Sequence, residues 1–379
     1  MKKVLLTATV QSHICQFHIP LINILKEEGY EVHVAARNNL KEKNGLKLVN
    51  VDKVFDIPFE RSPYKRNNIL AWKKLREVIK ENQYEVIHCN TPMGGIITRL
   101  AAKSSRKQDS KIIYSAHGFH FYKGAPKINW LVYYPIEKIM ARFTDILITI
   151  CEEDYLNAKN KKFKTDIRHI HGVGANTNKY NLITEDEKLA LRDELGYNKS
   201  DFMVICTGEL NSNKNQITVL RAIPELLTLI PNFRLLVAGN GPMEKELKNE
   251  CKKLNIENNV NFLGYRADLE RFVKASDIVI SVSIREGLGL NLIEGMLCGK
   301  PIIASVNRGH KELVDDKKNG YLIDKYSYNN LSARIYEMYK DPEMMLIMGK
   351  EANKKAYVYT DTNVINELKE IYNIKVEDL

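Results

Sequence analysis

A chain of 379 residues is long enough for two α/β domains with separate cores, and 44% hydrophobic with 27% charged content is ordinary for a globular protein in water. No apolar run approaches the ~20 residues of a membrane span, and the opening Met-Lys-Lys-Val-Leu-Leu-Thr-Ala-Thr-Val is too short and β-branched for a signal peptide. The formal charge of +10 favours an anionic partner, but no helix-turn-helix, zinc-finger or RNA-binding signature accompanies it, which argues against nucleic acid.

Apolar β-type runs alternate with helical ones almost throughout, the pattern of parallel sheets with covering helices. In the first half the strands are expected at 3–10, 30–36, 84–89, 111–116, 144–150 and 166–171, with helices at 17–28, 68–82 and 128–143. Around Gly172-Val-Gly-Ala-Asn-Thr-Asn the chain turns polar, and a charged helix near 185–195 follows. A domain boundary is expected there. The pattern then restarts, with strands at 202–207, 233–238, 260–263 and 278–283 and helices at 216–230, 243–254, 269–275 and 290–298. From about 329 to 375 the chain reads as helical and polar. The expected division is 1–175, 176–355 and a terminal helix in 356–379. Cys15, Cys89, Cys151, Cys206, Cys251 and Cys298 are scattered without C-x-x-C spacing, which reads as reduced thiols of a cytoplasmic protein and shows no zinc site.

The densest chemistry lies in Ser283-Ile-Arg-Glu-Gly-Leu-Gly-Leu-Asn-Leu-Ile-Glu-Gly-Met-Leu-Cys-Gly-Lys-Pro-Ile-Ile-Ala-Ser305. A strand that ends in a glycine-rich loop and opens a helix leaves free N–H groups at the helix N-terminus, a seat for phosphate. Glu286 falls in the loop and Glu294 one turn into the helix. Carboxylates repel an anion, so this pair suits sugar hydroxyls. A phosphate and a polyol together suggest a nucleotide-sugar.

The pattern S-x-R-E-G-x-G-x-x-x-x-E-G-M-x-x-G-K-P-I-I-A-S closely resembles the signature of retaining glycosyltransferases of family 4. The resemblance extends through Val237-Ala-Gly-Asn-Gly-Pro242, Phe262-Leu-Gly-Tyr265, Ala275-Ser-Asp277, Arg308-Gly-His-Lys-Glu312 and Asn319-Gly320. It covers most of 200–325, and the first half resembles the family more loosely. The implied fold is GT-B, two doubly wound Rossmann-like domains facing across a cleft.

The resemblance implies roles for residues just after strands, where open α/β sheets bind ligands. Lys214 sits where the family places its phosphate-binding lysine, while Glu209 follows Gly208 where an arginine is usual. Arg266 or Arg285 is the candidate to replace that cation. Asn240, Tyr265 and Arg266 fall on the donor side, as do Leu290, Asn291 and Glu294, with Glu294 assigned to the ribose hydroxyls. His117, in Ser115-Ala-His-Gly118, would face the transferred sugar, and Glu286 would position that sugar. In the first domain the family's glycine pair is missing after the first strand, and Gln11, Ser12 and His13 stand there instead. Asn90 lies on the acceptor side. With no convincing D-x-D, neither a metal nor another cofactor is expected.

The implied activity is transfer of a sugar, of N-acetylated hexose type, from a UDP-sugar donor to a lipid-linked saccharide acceptor in capsule or exopolysaccharide synthesis. Bases and aromatics at Tyr64–Arg66, Trp72–Arg76 and Phe119–Tyr134 add an anionic membrane surface as a partner, peripheral on its inner face. A nucleotide-sugar epimerase of the same architecture is the rival enzyme, although the carboxylate pair argues against it. A non-catalytic sugar-nucleotide-binding subunit is the rival without turnover.

Overall fold

The computed structural model describes residues 2–42 and 46–374, which form two compact units: Met1–Gly174 with Thr362–Leu379, and Ala175–Asp361. Each is an α/β unit around a parallel sheet. The first sheet contains β1 (Lys3–Val10), β2 (Glu31–Arg37), β3 (Lys53–Asp56), β4 (Val86–Asn90), β5 (Lys111–Ala116), β6 (Ile146–Thr149) and β7 (Asp166–His169), in the order β3-β2-β1-β4-β5-β6-β7. The second contains β8 (Phe202–Thr207), β9 (Phe233–Ala238), β10 (Val260–Gly264), β11 (Ile278–Ser281), β12 (Ile302–Ser305) and β13 (Gly320–Ile323), in the order β10-β9-β8-β11-β12-β13.

In both sheets the strand order reverses between the first strand and the fourth, β1 against β4 and β8 against β11. Helices on either side of such a reversal leave in opposite directions and open a crevice at the strands' carboxyl ends. β1, β4, β8 and β11 are buried along nearly their whole length and mostly apolar, as strands covered on both faces are. The second core joins Val204, Leu235, Ile280 and Ile303 of the sheet to Leu220 and Ile223 of one helix and Leu331 and Ile335 of another.

Several elements differ from expectation for local reasons. The helix expected over 17–28 runs Ile19–Glu27 with Pro20 in its first turn, and a separate short helix, Gln11–Phe17, precedes it across a break at His18. Proline lacks the N–H an interior position needs, so it opens a helix. β3 is an exposed edge strand with no apolar alternation, and the sequence reading passed it over. The helix Pro92–Ala101 was missed too, its Gly94 and Gly95 arguing against a helix; a Cβ on Gly95 would lie 2.5 Å from the Tyr114 ring. The terminal stretch comprises Tyr328–Lys340, Pro342–Ala356 and Asp361–Tyr372. Within the first unit Tyr372 Oη lies 2.8 Å from His88 Nδ1, and Glu367 accepts from the His171 amide at 2.8 Å. The end of the helical expectation, Lys375 and the residues after it, lies outside the described residues.

Candidate functional site

In the second unit the loops after β8 and β11 meet. Lys214 Nζ donates to Glu286 Oε1 at 2.7 Å, and the Ile284 amide donates to the Asn213 carbonyl at 2.7 Å, which ties the loops together along their backbones. Burial alone would raise the Glu286 carboxyl, but the Lys214 ammonium holds it below the ordinary value. Glycines set the geometry. Gly208 is at φ 138°, and a Cβ there would come within 3.1 Å of Lys214 Cε; Gly239 is at φ 134°, and a Cβ there would lie 2.0 Å from the Gly208 carbonyl oxygen. The lysine stem therefore lies over bare backbone.

The helix Leu290–Leu297 starts at Gly289, φ 116°, with no side-chain cap. Its first-turn amides, Leu290 and Asn291, are the donors that any helix N-terminus leaves without an intrahelical partner. The Asn291 side chain donates to the Thr207 carbonyl at 3.3 Å, pinning the helix start to the end of β8. One turn on, burial pushes the Glu294 carboxyl up to about 7, while a hydrogen bond from Tyr180 and the nearby Lys179 pull the other way. Positive N–H groups, an ammonium and two carboxylates thus occupy the carboxyl end of this sheet beside its reversal point. Such an arrangement can hold a diphosphate and grip hydroxyls in the same place.

The remaining expected donor residues are less engaged. Glu209 is exposed and accepts from Asn211 Nδ2 at 3.0 Å. Asn240 is exposed in the turn after β9, its carbonyl accepting from the Leu210 amide at 3.0 Å. Tyr265 is exposed after β10. Arg266 forms two bonds to Asp268, at 2.8 and 2.7 Å, and lies over the Phe272 ring, so its charge is already paired. Arg285 is exposed, with its carbonyl accepting from Asn213 Nδ2 at 3.0 Å. Two residues escaped the sequence reading. His310 is fully buried against Gly289; its Nδ1 donates to the Ser305 carbonyl at 2.8 Å, so Nε2 is the free acceptor, without a partner among the described residues. Tyr180, buried on Glu294, is the other. A histidine three positions after the helix-capping Asn307 and a tyrosine 114 positions from its partner give no local signal.

The first unit brings a histidine cluster to the carboxyl ends of β1, β4 and β5. His117 Nε2 lies 3.2 Å from Asn90 Oδ1 and 3.3 Å from His13 Nε2. The amide oxygen only accepts, so His117 Nε2 carries the proton. Burial lowers the His117 imidazole to about 4 and pushes His13 and His18 down as well, so the rings are neutral at pH 7. The ligand atoms of His13, His18 and His117 lie within 4.8 Å of one another, a spacing from which a metal ion can be approached, although His117 would first have to give up Asn90. Gln11 donates to the Ala36 carbonyl at 3.4 Å, and Ser12 Oγ accepts from Asn39 at 2.9 Å, so both already have partners inside the unit. Beside Asn90, the β-branched Thr91 is held at φ 64° by Thr9, whose amide and hydroxyl lie 3.0 and 2.7 Å from Thr91 Oγ1. Backbone strain of this kind persists only where neighbours enforce it.

With this geometry in view, residues 187–355 match the family described as Glycosyl transferases group 1, and residues 3–151 match Glycosyl transferase 4-like. A Bacillus subtilis protein that carries the EpsD glycosyltransferase name is 40% identical over 373 residues, covering 98% of this chain and 96% of the relative. An Escherichia coli relative, named UDP-Gal:alpha-D-GlcNAc-diphosphoundecaprenol alpha-1,3-galactosyltransferase, is 26% identical over 80% of this chain and 78% of its own length. Among solved structures, Anabaena HepE with UDP and glucose superposes with a TM-score of 0.79 at 22% identity, over 98% of this chain and 100% of that one. WaaG, a lipopolysaccharide glycosyltransferase, gives 0.75 at 14% identity over 97% and 99%. The fold is GT-B. The chain belongs to the GT-B glycosyltransferases.

Proposed function

We propose that the chain is a retaining glycosyltransferase that moves a sugar of N-acetylated hexose type from UDP to a lipid-linked saccharide, in capsule or exopolysaccharide synthesis at the inner face of the membrane. The observation that carries this reading is the Lys214–Glu286 pair set beside the uncapped helix at Leu290. The Escherichia coli relative's name, which joins a UDP-sugar to a diphosphoundecaprenol acceptor, and the UDP bound by HepE support the donor and acceptor classes.

In the proposed reaction the anomeric C–O bond to the diphosphate breaks and its electron pair stays on the phosphate oxygen. Lys214 and the Leu290 and Asn291 amides stabilise the charge that develops there. The acceptor oxygen bonds to the anomeric carbon on the same face, and its proton passes to the departing phosphate oxygen. Glu294 accepts from the ribose hydroxyls, and Glu286, released from Lys214, orients the sugar. His117, its Nε2 proton given to Asn90, hydrogen-bonds a hydroxyl of the transferred sugar by accepting at Nδ1. No divalent ion is assigned to the diphosphate.

The test is calorimetry with UDP on the parent and on Glu294→Ala, beside a thermal-shift series of nucleoside diphosphates. UDP is expected to give the largest shift, because a ligand of the native state raises apparent stability by mass action. Unchanged UDP affinity in Glu294→Ala sinks the ribose assignment, and a larger shift with GDP or ADP sinks the choice of UDP. Donor turned over without an acceptor to an epimeric nucleotide-sugar would favour the epimerase.

A further inference from the structure

The helix Lys127–Met140 of the first unit is built inside out. Ile128, Leu131, Val132, Pro135, Ile136 and Ile139 recur at i, i+3, i+4, i+7, i+8 and i+11, the spacing of a single helical stripe. In a surface helix that stripe normally faces the core. Here it faces solvent, with Leu131 73% exposed, Ile128 60% and Ile139 52%. The opposite face is fixed by specific contacts. Trp130 and Tyr134 pack on Phe121, ring centroids 5.5 Å away in each case, and Glu137 accepts from Arg99 Nη2 at 3.0 Å. Turning the helix to bury the aliphatic stripe would pull Glu137 off a buried guanidinium, so the inversion is locked in by that pair.

Within the segment the exposed charge has one sign, although Glu153 accepts from the Lys123 amide at 2.7 Å. Lys123, Lys127 and Lys138 are exposed, and Glu137, the only acid between Lys123 and Met140, points inward. An apolar stripe rimmed by lysines suits the interface of an anionic bilayer, where aliphatic side chains enter the acyl boundary and ammonium groups stay among the headgroups. A symmetric contact with a second copy would set these lysines against their like. The helix Asn67–Asn82, where the sequence places Lys73, Lys74 and Arg76, differs: its stripe Ala71, Leu75 and Ile79 is buried, and Glu77 and Glu81 interrupt the bases outside.

We infer that Lys127–Met140 is the element that docks this protein on an anionic membrane, its Ile128–Ile139 stripe inserted at the interface and its lysines on the headgroups. This deepens the lipid-linked acceptor reading and rests on it for its purpose, but its test does not use turnover. The sequence pointed to the aromatics of this segment as the membrane side. The structure turns Trp130 and Tyr134 toward the core, leaves Tyr133 38% exposed, and presents the aliphatic residues beside it.

The experiment is flotation of the full chain with phosphatidylglycerol–phosphatidylcholine vesicles, comparing the parent with Leu131→Glu/Ile136→Glu and with Lys73→Glu/Lys74→Glu. The parent is expected to float and to retain part of its binding at high salt, because salt screens the lysines but not the inserted stripe. Leu131→Glu/Ile136→Glu is expected to lose about tenfold or more in vesicle affinity, with an unchanged melting temperature because both side chains face outward. Three results overturn the inference: a parent that stays with the soluble fraction, binding lost in the Lys73/Lys74 variant but kept in the Leu131/Ile136 variant, or a parent dimer in ultracentrifugation that the Leu131/Ile136 variant abolishes. Transfer to a water-soluble acceptor analogue reads the glycosyltransferase proposal separately, so either can fail alone.

Discussion

Lys214 and Glu286, 72 positions apart, are joined by a 2.7 Å ion pair that closes the carboxyl end of the second sheet. Without a donor, each neutralises the other. In the proposed function a diphosphate arriving at the helix N-terminus competes with Glu286 for the ammonium, and the carboxylate it displaces becomes free to meet a sugar hydroxyl. On that proposal one contact prepares both halves of a nucleotide-sugar site.

Replacing Lys214 with Ala is expected to lower kcat by about 100-fold or more, with a smaller change in KM, because charge on the diphosphate grows as the bond breaks. The variant also strands Glu286 in a largely buried position, at a cost of about 1–3 kcal/mol. Glu286→Gln in the same background should recover the stability and not the rate. Turnover within a few-fold of the parent would move the phosphate role to another cation, with Arg285 the first to test.

Glu294 predicts a pH dependence with a defined sign. Its carboxyl stands at about 7 in the fold against an ordinary 4.5, so the native state keeps the proton after the unfolded chain has lost it. The stability it contributes is full below about pH 4.5 and falls away as pH rises to about 7, a change of about 3 kcal/mol. Glu294→Gln should flatten that part of the melting-temperature profile relative to the parent. Tyr180→Phe, which removes a hydrogen bond to the ionised form, should move the limb to higher pH. Parallel profiles for the parent and Glu294→Gln would place the perturbed group elsewhere.

The alternation of apolar strands and helices was legible because the inner strands of both sheets are buried, so Phe202–Thr207, Phe233–Ala238 and Lys111–Ala116 read as largely apolar runs. The edge strand Lys53–Asp56 was not, because a strand facing water carries no such run. Within the candidate site, Glu286 and Glu294 could be named from their spacing around a glycine-rich turn, and Lys214 from the family resemblance. Their pairing could not, since which carboxylate meets the lysine depends on how two distant loops pack. His310, Tyr180 and the strained Thr91 were hidden for the same reason. The outward stripe of Lys127–Met140 was hidden by a stronger one: periodicity marks a helix face but not the side it turns to, and here the buried Arg99–Glu137 pair decided.

The histidine cluster gives a prediction about metal. With the His117 Nε2 proton committed to Asn90, the imidazoles serve as hydrogen-bonding groups, and in the proposed reaction the diphosphate is served by Lys214 and backbone amides. A chelator is therefore expected to leave turnover within about twofold of the untreated enzyme, far from the 100-fold or more that losing an electrostatic partner costs. Loss of activity on chelation, restored by magnesium or manganese, would reverse this assignment.

The last prediction concerns the pair that sets the Lys127–Met140 helix. Arg99 is 1% exposed; its Nε donates to the Gly95 carbonyl at 2.9 Å, its Nη2 donates to Glu137, and its guanidinium stacks 3.9 Å from the centre of the Tyr114 ring. Arg99→Met removes the charge while keeping much of the volume and leaves Glu137 buried without its counter-ion, which typically costs about 3–5 kcal/mol. The double variant Arg99→Met/Glu137→Leu removes both charges together and is expected to regain most of that loss, since a well-packed apolar pair often replaces a buried ion pair without penalty. Denaturant unfolding of the four proteins in the cycle measures the coupling. A double variant no more stable than Arg99→Met would mean that the guanidinium matters through Gly95 and Tyr114, and that Glu137 is not what holds the helix in its inverted setting.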